Sequence, residues 1–420
     1  MSALGCPIGF VSTRFSGTDG VSLETEKWAS VLEALGHTCF YFAGECDRPP
    51  ERSLVVPEAH FKHPTILRLT EMLFSAERRP VAVSSGVQDL KEHLKDELCK
   101  FLKEFDIYLL VVENALSLPV NIPLGLALTE VIAETYLPTL AHHHDFYWER
   151  KRFSISAAGD YLRTAFPPTL PAIQHVVINS FAARQLALRT GASSILIPNV
   201  MDFEDVAEPS PDHVEHLRQT LGLAVGEHLL LQPTRVVPRK RIELAIEFAR
   251  RLELPCTLVI THASGDEGSG YEAFLRDYAR LMGVRVIFAS DLFNHARGLT
   301  PDGRPVFSLR DAYHACSLVT YPSLVEGFGN AFLEAIYYRR PILMSTYEIF
   351  RTDIQPKGFR VIGFDDFIGT DTLEHARQVL RRPQLAAEMT ERNFAIGKRH
   401  YSFHNLERAL ESLTESCASG

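Results

Sequence analysis

Short apolar runs that suit buried strands alternate along this chain with stretches whose apolar positions recur at helical spacing, and the alternation holds in both halves. In the first half, residues 9–12, 38–42 and 107–112 read as strands and Ser22 to Leu35 as a helix, and two further apolar runs, Val176 to Ser180 and Ile195 to Pro198, close the series. In the second half, Leu229 to Gln232, Thr257 to Ile260, Arg285 to Phe288, Leu318 to Tyr321 and Pro341 to Met344 read as strands with helices between them. Such alternation, met twice, predicts an α/β protein with two parallel sheets. The stretch from Pro198 to Pro211, rich in Pro, Asp and Glu, reads as a linker, and Phe403 to Leu413 is a final apolar-periodic helix. No internal repeat or low-complexity tract interrupts the pattern.

Composition narrows the class. A chain of 420 residues exceeds one ordinary core, which makes two domains the expectation. The net charge of -9 argues against a nucleic-acid partner. Seven scattered cysteines read as reduced thiols, not as a disulfide framework. No basic segment leads into an apolar one at the N-terminus, and no apolar run approaches the roughly 18 residues of a membrane span. A cytoplasmic protein without a membrane span is therefore expected, although a peripheral membrane contact stays open.

The chemistry concentrates in the second half. Glu326 and Glu334 stand eight residues apart, with Gly327 and Gly329 between them and an apolar helical run behind. Asn330 is the predicted N-cap of that helix. Glycines admit a ligand close to the backbone, and amides at a helix N-terminus suit phosphate. The carboxylates are then left for hydroxyls, which sugars and ribose present in pairs. Upstream, an apolar strand ends in a turn carrying Arg235 and Lys240, and a helix with apolar Ile242, Leu244, Ala245, Ile246, Phe248 and Ala249 follows. Two cations at a strand-to-helix junction suit a diphosphate leaving group, Arg as a fork and Lys as a point charge.

In both motifs, and in their order and separation, the chain resembles the retaining glycosyltransferases of family 4. That resemblance implies the GT-B fold: two facing Rossmann-like domains, with a C-terminal helix crossing back to the first. The implied boundaries are 1–205 for an acceptor-binding domain, 206–395 for a nucleotide-sugar-binding domain and 396–420 for the returning helix. It further implies that Phe328, Gly329, Asn330, Ala331 and Glu334 lie against a nucleotide sugar of the UDP-glucose or GDP-mannose type. Arg339-Arg340-Pro341 and Cys316-Ser317 depart from the family pattern and read as packing variants.

Two first-half segments gain meaning beside the resemblance. The loop Phe15 to Ser22 follows the first strand and opens a helix, so its amides can face an anion; Gly17 and Gly20 match a Gly-rich family loop, Gly20 being the candidate for the donor phosphate. A tight turn needing positive φ is the alternative. Three consecutive histidines, His142, His143 and His144, invite a zinc reading, but neighbours point in different directions and no cysteine or carboxylate pair stands at ligand spacing. No metal site is therefore expected. The family places a histidine after a first-domain strand, facing the donor sugar, and His144 matches it. His142 and His143 are expected to pack or to line an acceptor pocket, and Tyr147, Trp148 and Arg150 could wall it.

The expected activity is retaining transfer of glucose or mannose to a small polar acceptor. No Asp-x-Asp triplet occurs in the chain, so Arg235, Lys240 and backbone amides must meet the charge of the leaving group, and neither a divalent ion nor another cofactor is expected. Resemblance in residues 143–150 and in Thr352 to Phe359 leans toward bacterial members that make small soluble glycosides, such as those of mannosylglucosylglycerate synthesis. Rival readings on the same scaffold are a sugar-nucleotide epimerase, a phosphorylase, which would need a pyridoxal lysine, and a non-catalytic nucleotide-sugar binder.

Overall fold

The apolar runs become strands of two parallel sheets, each inside its own unit of the chain. The computed structural model describes residues 5–17, 19–206, 208, 210–264, 270–294 and 296–419. One unit runs from the N-terminus to Val200 and resumes at Phe403, and the other is Met201–Ser402.

In the first unit, β1 (Pro7–Val11), β2 (Thr38–Ala43), β3 (Ser53–Val55), β4 (Leu109–Glu113), β5 (Thr139–His143), β6 (Ile173–Val177) and β7 (Ser194–Leu196) form one sheet in the order β3-β2-β1-β4-β5-β6-β7. Every neighbouring pair is parallel. Successive side chains leave a strand on opposite faces, so a sheet covered on both sides needs apolar residues at every position. Ile8, Phe10, Leu109 and Val111 accordingly share one core with Trp28 and Leu32 of the helix Gly20–Ala34 and with Leu406, Leu410 and Leu413 of the helix Phe403–Ser419. Val11, Leu110 and Val112 share the other with the helices Val81–Glu104 and Ile122–Thr135. Gly9 faces that second core, where a Cβ would come within 2.8 Å of the Phe101 ring.

In the second unit, β8 (His228–Gln232), β9 (Cys256–Ile260), β10 (Val286–Phe288), β14 (Leu318–Tyr321), β15 (Ile342–Ser345) and β16 (Ile362–Phe364) pair in the order β10-β9-β8-β14-β15-β16, again all parallel. A separate small sheet holds β11 (Phe293–Asn294), β12 (Gly298–Leu299) and β13 (Pro305–Ser308). The helix Ile242–Leu252 turns Ile242, Ala245, Ile246, Phe248 and Leu252 onto Leu230 and Leu258 of the main sheet.

Both unit boundaries differ from the expected ones, for packing reasons. Phe203 already lies in the second unit, its ring 5.6 Å from that of Tyr337 and 5.1 Å from that of Phe394. At the other end the helix Pro383–Tyr401 runs unbroken past 396 and sets Tyr401 against Phe328 and Phe359, so the division falls after Ser402. Ala207 and Pro209 of the expected linker lie outside the described residues, as does Thr18 of the first Gly-rich loop. Among the described residues, no helix is long and apolar enough to cross a membrane.

Candidate functional site

Strand order brings three loops of the second unit side by side, because β8 lies between β9 and β14. β8 ends at Gln232, whose amide bonds Thr234 on its own loop and Thr320 on β14, at 2.8 Å each. The chain then passes exposed Arg235, buries Val236 and Val237, and turns through the 3-10 segment Pro238–Lys240. Leu324 donates its amide to the Arg239 carbonyl at 2.9 Å, tying the loop after β14 to this turn. There Lys240 pairs closely with Glu326, while the Arg239 guanidinium stands 3.6 Å from the same carboxylate. The Lys240 ammonium also lies 5.1 Å over the Tyr321 ring, a geometry favourable to a cation.

The electrostatics follow from that burial. Loss of water pulls the Lys240 pKa down, partly opposed by the charge of Glu326. Burial would raise Glu326, but Lys240 and Arg239 outweigh it and hold the carboxyl below its usual range. His262, just beyond β9, belongs to the same cluster: burial, followed by the nearby charges of Lys240 and Arg235, pushes it down to about 4. Sequence reading missed His262. Its only signal was a Thr-His pair directly after an apolar strand.

The helix Asn330–Tyr337 starts one residue earlier than predicted. Asn330 is its first residue, not its N-cap; the cap is Gly329 at φ +115°, and no side chain caps the helix. A Cβ on Gly329 would meet the Tyr347 hydroxyl at 2.2 Å, because that hydroxyl donates to the Phe328 carbonyl at 2.6 Å. Phe328 and Ala331 are buried. Glu334 accepts from the Tyr313 hydroxyl at 2.6 Å. The two carboxylates thus have different partners, Glu326 the cationic turn and Glu334 a buried phenol.

The remaining predicted residues belong to the first unit. Gly20 opens the helix Gly20–Ala34, but Asp19 caps it, accepting from the amides of Val21 at 3.1 Å and Ser22 at 3.3 Å and pairing with Arg14 at 3.0 Å. The anion on those two amides is the chain's own carboxylate. β5 carries His142 and His143, with His144 directly after it. A carboxylate does accompany them: Glu113, from the end of the adjacent strand β4, lies 3.0 Å from His142 Nδ1 and 3.0 Å from His144 Nε2. These three residues bring one donor atom each within 4.8 Å of one another. His143 turns away and shares a 2.9 Å hydrogen bond with His175. Tyr147 and Trp148 lie in a 3-10 turn, Trp148 stacked on Phe146, and Arg150 pairs with Asp145.

No family model matches the chain. It is 32% identical to the mannosylglucosylglycerate synthase of Thermotoga maritima, over 96% of this chain and 98% of that protein. Identity to the mannosylglucosylglycerate synthase of Petrotoga mobilis is 30%, over 84% of this chain and 86% of that protein. Among solved structures, the sucrose-phosphate synthase of Thermosynechococcus elongatus shares the fold with a TM-score of 0.68 over 99% of each chain, at 14% identity.

Proposed function

This chain belongs to the family of the mannosylglucosylglycerate synthases and is a glycosyltransferase of the GT-B fold, and from that premise we propose that it moves glucose or mannose from a nucleoside-diphosphate sugar to a hydroxyl of a small polar acceptor. The observation that carries this reading is the meeting of Lys240 with Glu326, which joins a cationic turn to a carboxylate loop beyond the C-terminal ends of the central strands β8 and β14. A departing diphosphate brings more negative charge than one carboxylate. Lys240 and Arg235 stabilise it, and the backbone of Phe328, Gly329, Asn330 and Ala331 supplies further polar contacts. Glu326 accepts hydrogen bonds from the donor sugar, Glu334 takes the ribose or sugar edge, and His144 hydrogen-bonds at the reacting sugar without acting as a nucleophile.

Transfer proceeds with retention. The acceptor oxygen forms its bond to the anomeric carbon on the face from which the diphosphate oxygen leaves, and a phosphate oxygen takes the acceptor proton. No protein nucleophile and no divalent ion take part. The name of the relatives describes a mannosyl group on glucosylglycerate, which makes glucosylglycerate the first acceptor to try and GDP-mannose the first donor, with UDP-glucose beside it.

Incubating the purified chain with each donor and this acceptor, and reading the products by mass spectrometry and anomeric proton NMR, tests the proposal. One added hexose with the donor's own anomeric configuration is expected, with most of the rate kept in chelator. Epimerised donor without a new glycosidic bond would refute transfer. Activity lost in chelator and restored only by magnesium or manganese would refute the metal-independent site.

A further inference from the structure

Neighbouring residues on a strand point to opposite faces, so the end of β5 splits its histidines. His142 and His144 turn toward β4, where the register sets Glu113 opposite His142. Glu113 is fully buried, as is His142, and His144 is nearly so. A carboxylate removed from water is costly unless it is paired and hydrogen-bonded. Here one oxygen stands 3.0 Å from both imidazoles, and the other lies 3.1 Å from His142. Neither ring is free to wander. His142 stacks on Trp28 with centroids 4.3 Å apart, and the His144 amide donates to Asn114 Oδ1 at 2.8 Å.

We propose that Glu113 is a positioning residue that holds His144 as an imidazolium. The Nε2–H of His144 goes to the carboxylate and its Nδ1–H remains as a cationic donor, while His142 stays neutral and fixes Glu113 through its own Nδ1–H. One carboxylate and one imidazolium balance each other, so the cluster is neutral without a further ion. The surrounding groups agree. Glu24, on the helix Gly20–Ala34, is buried beside Lys27 at 2.9 Å, Asp145 is paired with Arg150, and His143 lies behind the strand with His175. Burial would raise Glu113, but the charges and hydrogen bonds of His142 and His144 hold it at about 2. Burial lowers His142, with only partial relief from Glu113. For His144 burial is outweighed by the Glu113 hydrogen bond and charge, and its pKa rises. A buried imidazole without this carboxylate would be neutral at physiological pH. A cationic donor is useful where negative charge develops, and in that respect the inference rests on the assignment of His144 to the donor sugar.

Histidine-selective 15N labelling of the full chain tests it, with the His144 signal assigned by its loss in His144→Asn. In the wild type, His144 is expected to show two protonated nitrogens and a midpoint above 6.5. Glu113→Gln is expected to lower that midpoint by about one pH unit or more and to move the alkaline limb of the transfer rate with it. A wild-type midpoint at or below 6.5 overturns the proposal, and that titration decides the matter even where Glu113→Gln fails to fold. So does an unmoved midpoint in folded Glu113→Gln, or a stoichiometric metal ion that departs with the substitution. Full transfer by His144→Asn would instead remove the sugar assignment and leave the titration standing.

Discussion

Lys240 is an ammonium taken out of water, and Glu326 is what keeps its charge affordable. Replacing Lys240 by Ala should lower kcat by about 10²-fold, the scale of losing one preorganised donor. It should also cost about 3 kcal/mol of stability, because the buried Glu326 carboxylate loses its closest cation. Turnover within a few-fold of wild type in a variant folded by circular dichroism would sink the assignment. A pH effect follows from His175, which burial pushes down to about 4. Between that value and 6.5 the unfolded chain takes a proton that the folded one refuses, so this stabilisation is full above 6.5 and fades as pH falls. From pH 7 to 5 the loss is about 2 kcal/mol. His175→Gln removes it, so the stability gap between wild type and variant, read by urea unfolding, should narrow on acidification; a constant gap would contradict the linkage. At this scale sequence reading singled out Lys240 and Glu326, which the structure sets side by side, through motif spacing and His144 through the family resemblance. It could not find Glu113 or His262, because their proximity depends on which strands are neighbours.

Strands written in apolar residues were legible: β1, β2, β4, β8, β9 and β14 stand within a few residues of their predicted places. β5, whose Thr-Leu-Ala-His-His sequence lacks a long apolar run, was not, since its strand conformation comes from pairing with β4 on one side and β6 on the other. β3 and β16, three residues each, were too short to show a period. The Asn330 cap failed for a steric reason. Asparagine is a good cap by propensity, but here the chain enters the helix through a left-handed residue pressed against Tyr347, a place for glycine. Gly329→Ala should therefore cost about 3 kcal/mol, combining backbone strain with a clash. Adding Tyr347→Phe removes the hydroxyl that stands 2.2 Å from the new methyl, and should restore part of the melting temperature. No recovery in the double variant would show that the clash was misjudged.

Across the whole chain, two α/β units could be read from alternation alone, but the home of the last helix could not: periodicity marks its apolar face without saying which core receives it. Leu406, Leu410 and Leu413 enter the core built by β1, β4 and the helix Gly20–Ala34, so the first unit is completed by residues that follow the whole second unit along the chain. This has a consequence that the distribution of tryptophans makes measurable. Both tryptophans of the chain, Trp28 and Trp148, lie in the first unit, whereas helical circular dichroism reports on both units. Leu410 is fully buried, and Leu410→Ala leaves a cavity that should destabilise its unit by about 3 kcal/mol. In urea, the fluorescence midpoint of the variant should fall below that of the wild type. The portion of the circular dichroism change that fluorescence does not mirror should keep its midpoint, since a chain of two units need not unfold as one. If both signals shift together by the same amount, the units unfold as a single cooperative body; if neither shifts, Leu410 is not part of the core that supports Trp28.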